Sequence, residues 1–328
     1  MKRLLVGYLS KLECNRWDQL VWNSRGGTIF HKSWYLKLLG VQQVIEIYDN
    51  DKLVAGMPVL GDLDKGELYQ STISVPYSGI VFDQDYIGKS CNREQQAMLL
   101  YRQITEECIR ILLQNFNSVH FSVCHDITDM VPYIQSGFFP EVRYTYIMSL
   151  EDSISTIIQT RFSSSRRKCL KTARNKGVHV IVEDQADGNF DCKKAYFWVN
   201  SSDMIKKGKK IICEAMSQGC GKCLIALDAQ EKAIGGLFLI WDNNRAYTTL
   251  AYYDSSARSS GVPTMLYLEA MRYCKEYLHL NRLDFEGSVL PGVEKFYQSF
   301  GSEQTIYFNL HWSSNRNDLN LEDLYHYV

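Results

Sequence analysis

Near the C-terminus, the run LDFEG (283–287) alternates Leu283 and Phe285 with Asp284 and Glu286, which places both carboxylates on one face of a strand. Two acids so placed can hold an amine or take its proton, directly or through water, and Glu286 is favoured because it lies nearer the strand end. The plainer alternative is a solvated or helix-capping pair. Further on, FYQSFG (296–301) carries Tyr297. Its hydroxyl is a donor at neutral pH, with a reference pKa near 10 against roughly 8.5 for a thiol. A tyrosine packed on a sheet edge is the competing reading. Upstream, SSARSSGVPTMLYLEAMRYCKEY (255–277) leads small residues into a helix. First-turn amides are unpaired there and the macrodipole is positive, which suits phosphate. Gly261 lets a phosphate approach the backbone, Arg258 adds charge-assisted hydrogen bonds, and Ser260, Val262 and Thr264 complete the expected cradle. Pro263 fits a first helical turn but removes one N–H from it. An ordinary helix start is the alternative.

The elements around these residues occur twice. At a fixed offset of 164, Val119 falls on Leu283, Phe121 on Phe285, Tyr133 on Tyr297 and Gly137 on Gly301. Each copy reads as strand, short helix with Tyr-x-x-x-Gly, then an aromatic and β-branched strand. At an offset of 180, VIEIYDNDKLVAGMPVL (44–60) falls on LIALDAQEKAIGGLFLI (224–240), two β-hairpins with polar turns. Helices are predicted over 95–114 and 263–279. The duplication predicts an α/β chain with mixed sheets in two domains, 1–155 and 156–328. The first copy lacks the chemistry of the second: Glu94, Ala97 and Leu99 stand where Arg258, Gly261 and Pro263 do, and His120 and Ser122 replace Asp284 and Glu286.

The chain has 328 residues, 45% hydrophobic and 22% charged, which is globular composition for two ordinary domains. A net charge of −1 supplies no global field for nucleic acid or membrane. The opening MKRLLVGYLSK has too short an apolar run for a signal peptide, no later stretch approaches a membrane span, and a cytoplasmic protein is expected. Ten scattered cysteines fit a reducing compartment. CGKC (220–223) has no second ligand pair for a structural zinc and is expected to be a turn into a strand, with no metal.

Two mixed-sheet units, each ending in a short Tyr-x-x-x-Gly helix, resemble the GNAT N-acyltransferase fold. The wording of LDFEGSVLPGVEKFYQSFG, TIFHKSWYLKLLG and RRKCLKTARNKGV is similar to that of Fem-related, GNAT-like acyltransferases over nearly the whole chain. The resemblance implies two tandem GNAT-like domains and acetyl-CoA or another acyl-CoA as co-substrate. It makes Tyr297 the acid that assists the departing thiolate, with the oxyanion donor a backbone amide within Leu250–Tyr253. Arg258-Ser259-Ser260-Gly261 matches the first two fixed positions of the family's phosphate loop, and Pro263 departs from the Gly or Ala expected there.

Between the copies, RFSSSRRKCLKTARNK (161–176) holds seven basic residues and no acid, with Arg167, Lys171 and Arg174 on one helical face. This is either a solvated helix or a phosphate contact to coenzyme A, a nucleotide-bearing substrate or tRNA. In the first half, His31, Trp34 and Tyr77 are candidates to line an acceptor cleft between the halves. The leading expectation is transfer of an acyl group to the amine of a small molecule, glycan or peptide. A Fem-like peptidyltransferase using aminoacyl-tRNA and a non-catalytic binding protein with the same duplicated fold remain alternatives.

Overall fold

The computed structural model describes residues 5–69, 75–183, 190–195, 201–254, 257, 260–287 and 291–315. They form two compact units, residues 1–143 with 306–328, and residues 144–305.

The first unit opens with β1 (Leu5–Lys11), α1 (Cys14–Trp22), β2 (Ser24–Arg25), α2 (Ser33–Leu39), β3 (Gln43–Asp49) and β4 (Lys52–Pro58). Short strands β5 (Gly61–Asp62), β6 (Glu67–Tyr69) and β7 (Val81–Asp83) follow. Then come α3 (Gln84–Ser90), α4 (Glu94–Asn115), β8 (Ser118–Val123), α5 (Val131–Gln135) and β9 (Phe139–Ser149). β3 and β4 are the expected hairpin, turned at Asn50, which tolerates its φ of 52°. The predicted helix 95–114 is α4. It buries Leu100, Ile104, Cys108 and Ile111, a stripe at helical spacing, and packs on β1, β3 and β4.

The second unit contains α6 (Ile154–Thr160), α7 (Ser164–Asn175), β10 (His179–Glu183), α8 (Cys192–Ala195), α9 (Ser202–Ser217), β11 (Gly221–Leu227), β12 (Ala233–Trp241) and β13 (Ala246–Tyr253). It continues with α10 (Val262–Glu276), β14 (Arg282–Asp284), α11 (Pro291–Gln298) and the start of β15 (Glu303–Ser313). β10 to β13 run antiparallel, with β11 and β12 forming the second expected hairpin. Cys220 directly precedes β11 and Cys223 lies within it. β13 and β14 run parallel and pair at two positions only, Ala246↔Leu283 and Tyr247↔Asp284. α10 is buried on most sides, from Val262 through Leu268 and again at Ala270, Met271 and Cys274, because it packs on the sheet and also against α7.

The closing strands are exchanged between the sequence copies. Residues 147–149 of β9 pair with β14 (Asp284↔Ile147), whereas residues 308–313 of β15 pair with β8 (His120↔His311). Both partners shift by the same 164, so the repeat is preserved in the pairing register as well as in the sequence. The compact units therefore differ from a single cut at 155: each holds the strand that ends the other copy. Among the described residues, no helix is long and apolar enough to cross a membrane.

Candidate active site

β14 ends at Asp284, which is fully buried. Its Oδ1 accepts from the Thr145 hydroxyl at 2.5 Å and from the Glu286 N–H at 2.9 Å. The second bond holds Glu286 at φ 60°, a left-handed conformation that costs a non-glycine residue about 1–2 kcal/mol. The alternation expected past Asp284 therefore stops at Phe285, and Asp284 positions Glu286. The Glu286 Oε1 is out of solvent and has no hydrogen-bond partner among the described residues. Burial first, and the Asp284 charge second, push its carboxyl up to about 8. A neutral acid with an unused oxygen is an incomplete arrangement, since buried polar groups are otherwise paired.

Tyr297 lies on α11 in an aromatic nest. Its ring centroid is 5.3 Å from Phe285, 5.7 Å from Tyr146 and 5.9 Å from Tyr267. Its hydroxyl is 3.5 Å from that of Tyr267, a buried α10 residue that sequence reasoning missed. Burial pushes Tyr267 up to about 12 and Tyr297 well above the usual phenol value, and the charge of Glu286 raises Tyr297 further. Both hydroxyls are thus protonated donors at neutral pH. Thr248 of β13, also buried, adjoins the Tyr267 hydroxyl. The next residue, Thr249, is the extra residue of a bulge, because Phe238 pairs with Leu250 while Leu239 pairs with Thr248. A bulge takes a backbone group out of the ladder. It lies one residue before the expected oxyanion span, Leu250–Tyr253. The twin tyrosine, Tyr133, sits in the core of the first unit against Phe121 and Phe138, with 1% of its surface exposed.

At the helix start, Gly261 caps α10 with φ 83°. A Cβ there would meet the Cys169 carbonyl oxygen at 2.2 Å, so the glycine is required by the approach of α7. Ser260 spends its hydroxyl on the Ala257 carbonyl, and the Val262 and Thr264 side chains are buried. These residues offer a ligand backbone N–H groups only. Arg258 lies outside the described residues.

Among the described residues, Arg166 of α7 is a cation at this helix start. It donates to the Thr264 hydroxyl at 2.8 Å and the Ser299 hydroxyl at 2.9 Å, and its guanidinium lies over the rings of Phe296 (4.5 Å) and Phe300 (4.9 Å). Burial lowers its pKa, and every hydrogen-bond partner named for it is neutral. Of the expected face, Arg167 instead donates to the Phe162 and Gln159 carbonyls, while Lys171 and Arg174 are exposed. Arg166→Ala is expected to lower stability by about 1.5–3 kcal/mol, the usual cost of hydrogen bonds to a charged group, measured by urea unfolding.

In the first unit, His31 is fully buried. Its Nδ1 meets the Thr28 hydroxyl at 2.9 Å, its Nε2 meets the Gly79 carbonyl at 3.1 Å, and burial lowers its pKa to about 4. It is a neutral packed histidine joining two loops. Tyr77 is buried edge-on to Phe30 and Tyr307. Trp34 is half-buried, against Tyr35.

Two units with a repeated hairpin, a long helix on the sheet and a late Tyr-x-x-x-Gly helix define a tandem GNAT fold. Within that class the fold is similar to those of FemX and L-PGS. Residues 209–297 match the family model described as an acetyltransferase (GNAT) domain. The structure of FemX superposes with a TM-score of 0.63 at 11% identity, covering 97% of this chain and 99% of that one. L-PGS from Bacillus licheniformis gives 0.56 at 12%, covering 96% of each chain. A tandem GNAT protein from the clavulanic acid biosynthesis pathway gives 0.51 at 9%, covering 94% of this chain and 98% of that one. No curated protein matches the sequence.

Proposed function

We propose that this chain is an N-acyltransferase that moves an acyl group, acetyl in the simplest case, from a coenzyme A thioester to an amine acceptor. The donor site is assigned to the second sequence copy. The observation that carries this reading is the buried carboxyl oxygen of Glu286, without a partner among the described residues, beside the Tyr297 hydroxyl. Ionised Glu286 takes the proton of the attacking amine. The amine nitrogen bonds to the thioester carbon, the C–S bond breaks, and the Tyr297 hydroxyl donates to the departing sulfur. The bulge at Thr249 supports a backbone donor to the oxyanion. Phosphates would meet the first-turn amides of α10 and Arg258.

Acetyl-CoA, a longer acyl-CoA and bare coenzyme A should each raise the melting temperature. A ligand at a hundred times its Kd adds about 2.7 kcal/mol, and absence of a shift at millimolar ligand with all three would sink the thioester reading. Tyr297→Phe is expected to lower kcat roughly 10²-fold with little change in coenzyme affinity, and unchanged turnover would remove Tyr297 from the mechanism. One observation favours the second reading, a peptidyltransferase using aminoacyl-tRNA: Gly261 is filled from behind by Cys169 and Pro263 withholds an amide, so the cradle is spare. Acyl transfer from charged tRNA, with no shift by coenzyme A, would establish it.

A further inference from the structure

The turn after β8 places three metal-ligating side chains together: Cys124, His125 and Asp126, whose donor atoms all lie within 4.8 Å of one another. The Cys124 Sγ is 3.6 Å from Asp126 Oδ2, and the His125 Nδ1 is 3.5 Å from Asp126 Oδ1. Bonds of about 2.3 Å to sulfur and 2.0–2.2 Å to nitrogen and oxygen give a tetrahedral zinc ion ligand-to-ligand edges of about 3.3–3.6 Å. The two contacts, made to the two different oxygens of the Asp126 carboxylate, are close to those edges, and one ligand atom from each of the three residues lies within 4.8 Å of the others. The turn is fixed from several sides: the Ile127 N–H donates to the Cys124 carbonyl at 2.8 Å, the Arg25 Nε donates to the Asp126 carbonyl at 2.9 Å, and the His125 ring stands edge-on to Tyr77. Cys124 and His125 are buried, while Asp126 keeps 31% of its side chain exposed and gives access. The repeat shows that the fold does not require the trio, because the second copy has Ser288, Val289 and Leu290 at the same offset.

We propose that Cys124, His125 and Asp126 bind one divalent ion of the zinc class, with the fourth position open to water. Thiolate with imidazole selects this class over magnesium or calcium, which take oxygen donors. Binding replaces the thiol proton: the sulfur–hydrogen bond is exchanged for a sulfur–metal bond, the proton passes to solvent, and affinity therefore rises with pH. The site is independent of Glu286 and Tyr297, so its test is independent of acyl transfer.

The full chain, stripped with chelator, is titrated with Co²⁺ and the thiolate-to-cobalt charge-transfer band is followed. The expected result is a band saturating at one equivalent, bleached by Zn²⁺ and stronger at higher pH. Cys124→Ser should abolish it, and Asp126→Asn, at the accessible edge, should weaken Co²⁺ binding at least about tenfold. Absence of the band in the parent chain, or its persistence at full strength in Cys124→Ser, would overturn the proposal. If Cys124→Ser fails to fold, undiminished affinity in Asp126→Asn overturns it equally.

Discussion

Glu286→Gln is expected to lower kcat/KM by roughly 10²–10⁴-fold, the usual range for loss of a general base, while making the protein more stable in mild alkali. The two effects have one cause. The carboxyl is raised to about 8 by burial and by Asp284, so the folded chain holds a proton that the unfolded chain releases in the ordinary carboxylate range. That contribution to stability is fully present below the unfolded value and is lost as pH rises through about 8. Glutamine carries no charge and removes this dependence. Activity runs the other way in the parent enzyme, rising through about pH 8 as the base ionises, and the variant should lose that limb of the profile. Steady-state rates and melting curves from pH 5 to 9 check both. A variant that keeps the alkaline limb would remove Glu286 from proton transfer.

The second large effect is predicted at Gly261. Alanine there meets a left-handed φ of 83° and a Cβ position 2.2 Å from the Cys169 carbonyl. The backbone penalty is about 1–2 kcal/mol and overpacking adds about 1–3 kcal/mol. Relief requires α7 to move away from α10, and Arg166 moves with it, since it spans Thr264 and Ser299. The variant is expected to lose about 2–5 kcal/mol in urea unfolding and to weaken the thermal shift given by coenzyme A. A variant as stable as the parent would show that the contact with α7 yields at no cost.

The repeat, both hairpins and the two long helices were legible because periodicity and a constant offset survive in the sequence. Asp284 and Glu286 were legible as a pair of acids. Their different environments were not, because the hydrogen bond from Glu286 to Asp284 turns the chain out of the strand. Arg166 escaped because grouping charges on one helical face selects solvent-facing residues, whereas it lies over two phenylalanine rings. Tyr267 was hidden in a helix whose apolar residues run almost all the way round. The bulge at Thr249 has no composition of its own, since it is one additional residue between Thr248 and Leu250 in an ordinary strand sequence. His31 and Tyr77, proposed as residues lining an acceptor cleft, are buried, a property their residue types do not reveal.

The exchange of closing strands sets an order for synthesis. The first unit needs residues 308–313 to complete the sheet beside β8, so synthesis must pass residue 313 before that edge is covered. Until then β8 presents an unpaired edge, a recognised hazard for association between nascent chains. The second unit has its borrowed strand in hand early, because residues 147–149 precede the β14 residues 282–284 that they pair with. The unit that begins later in the chain is therefore the first able to close.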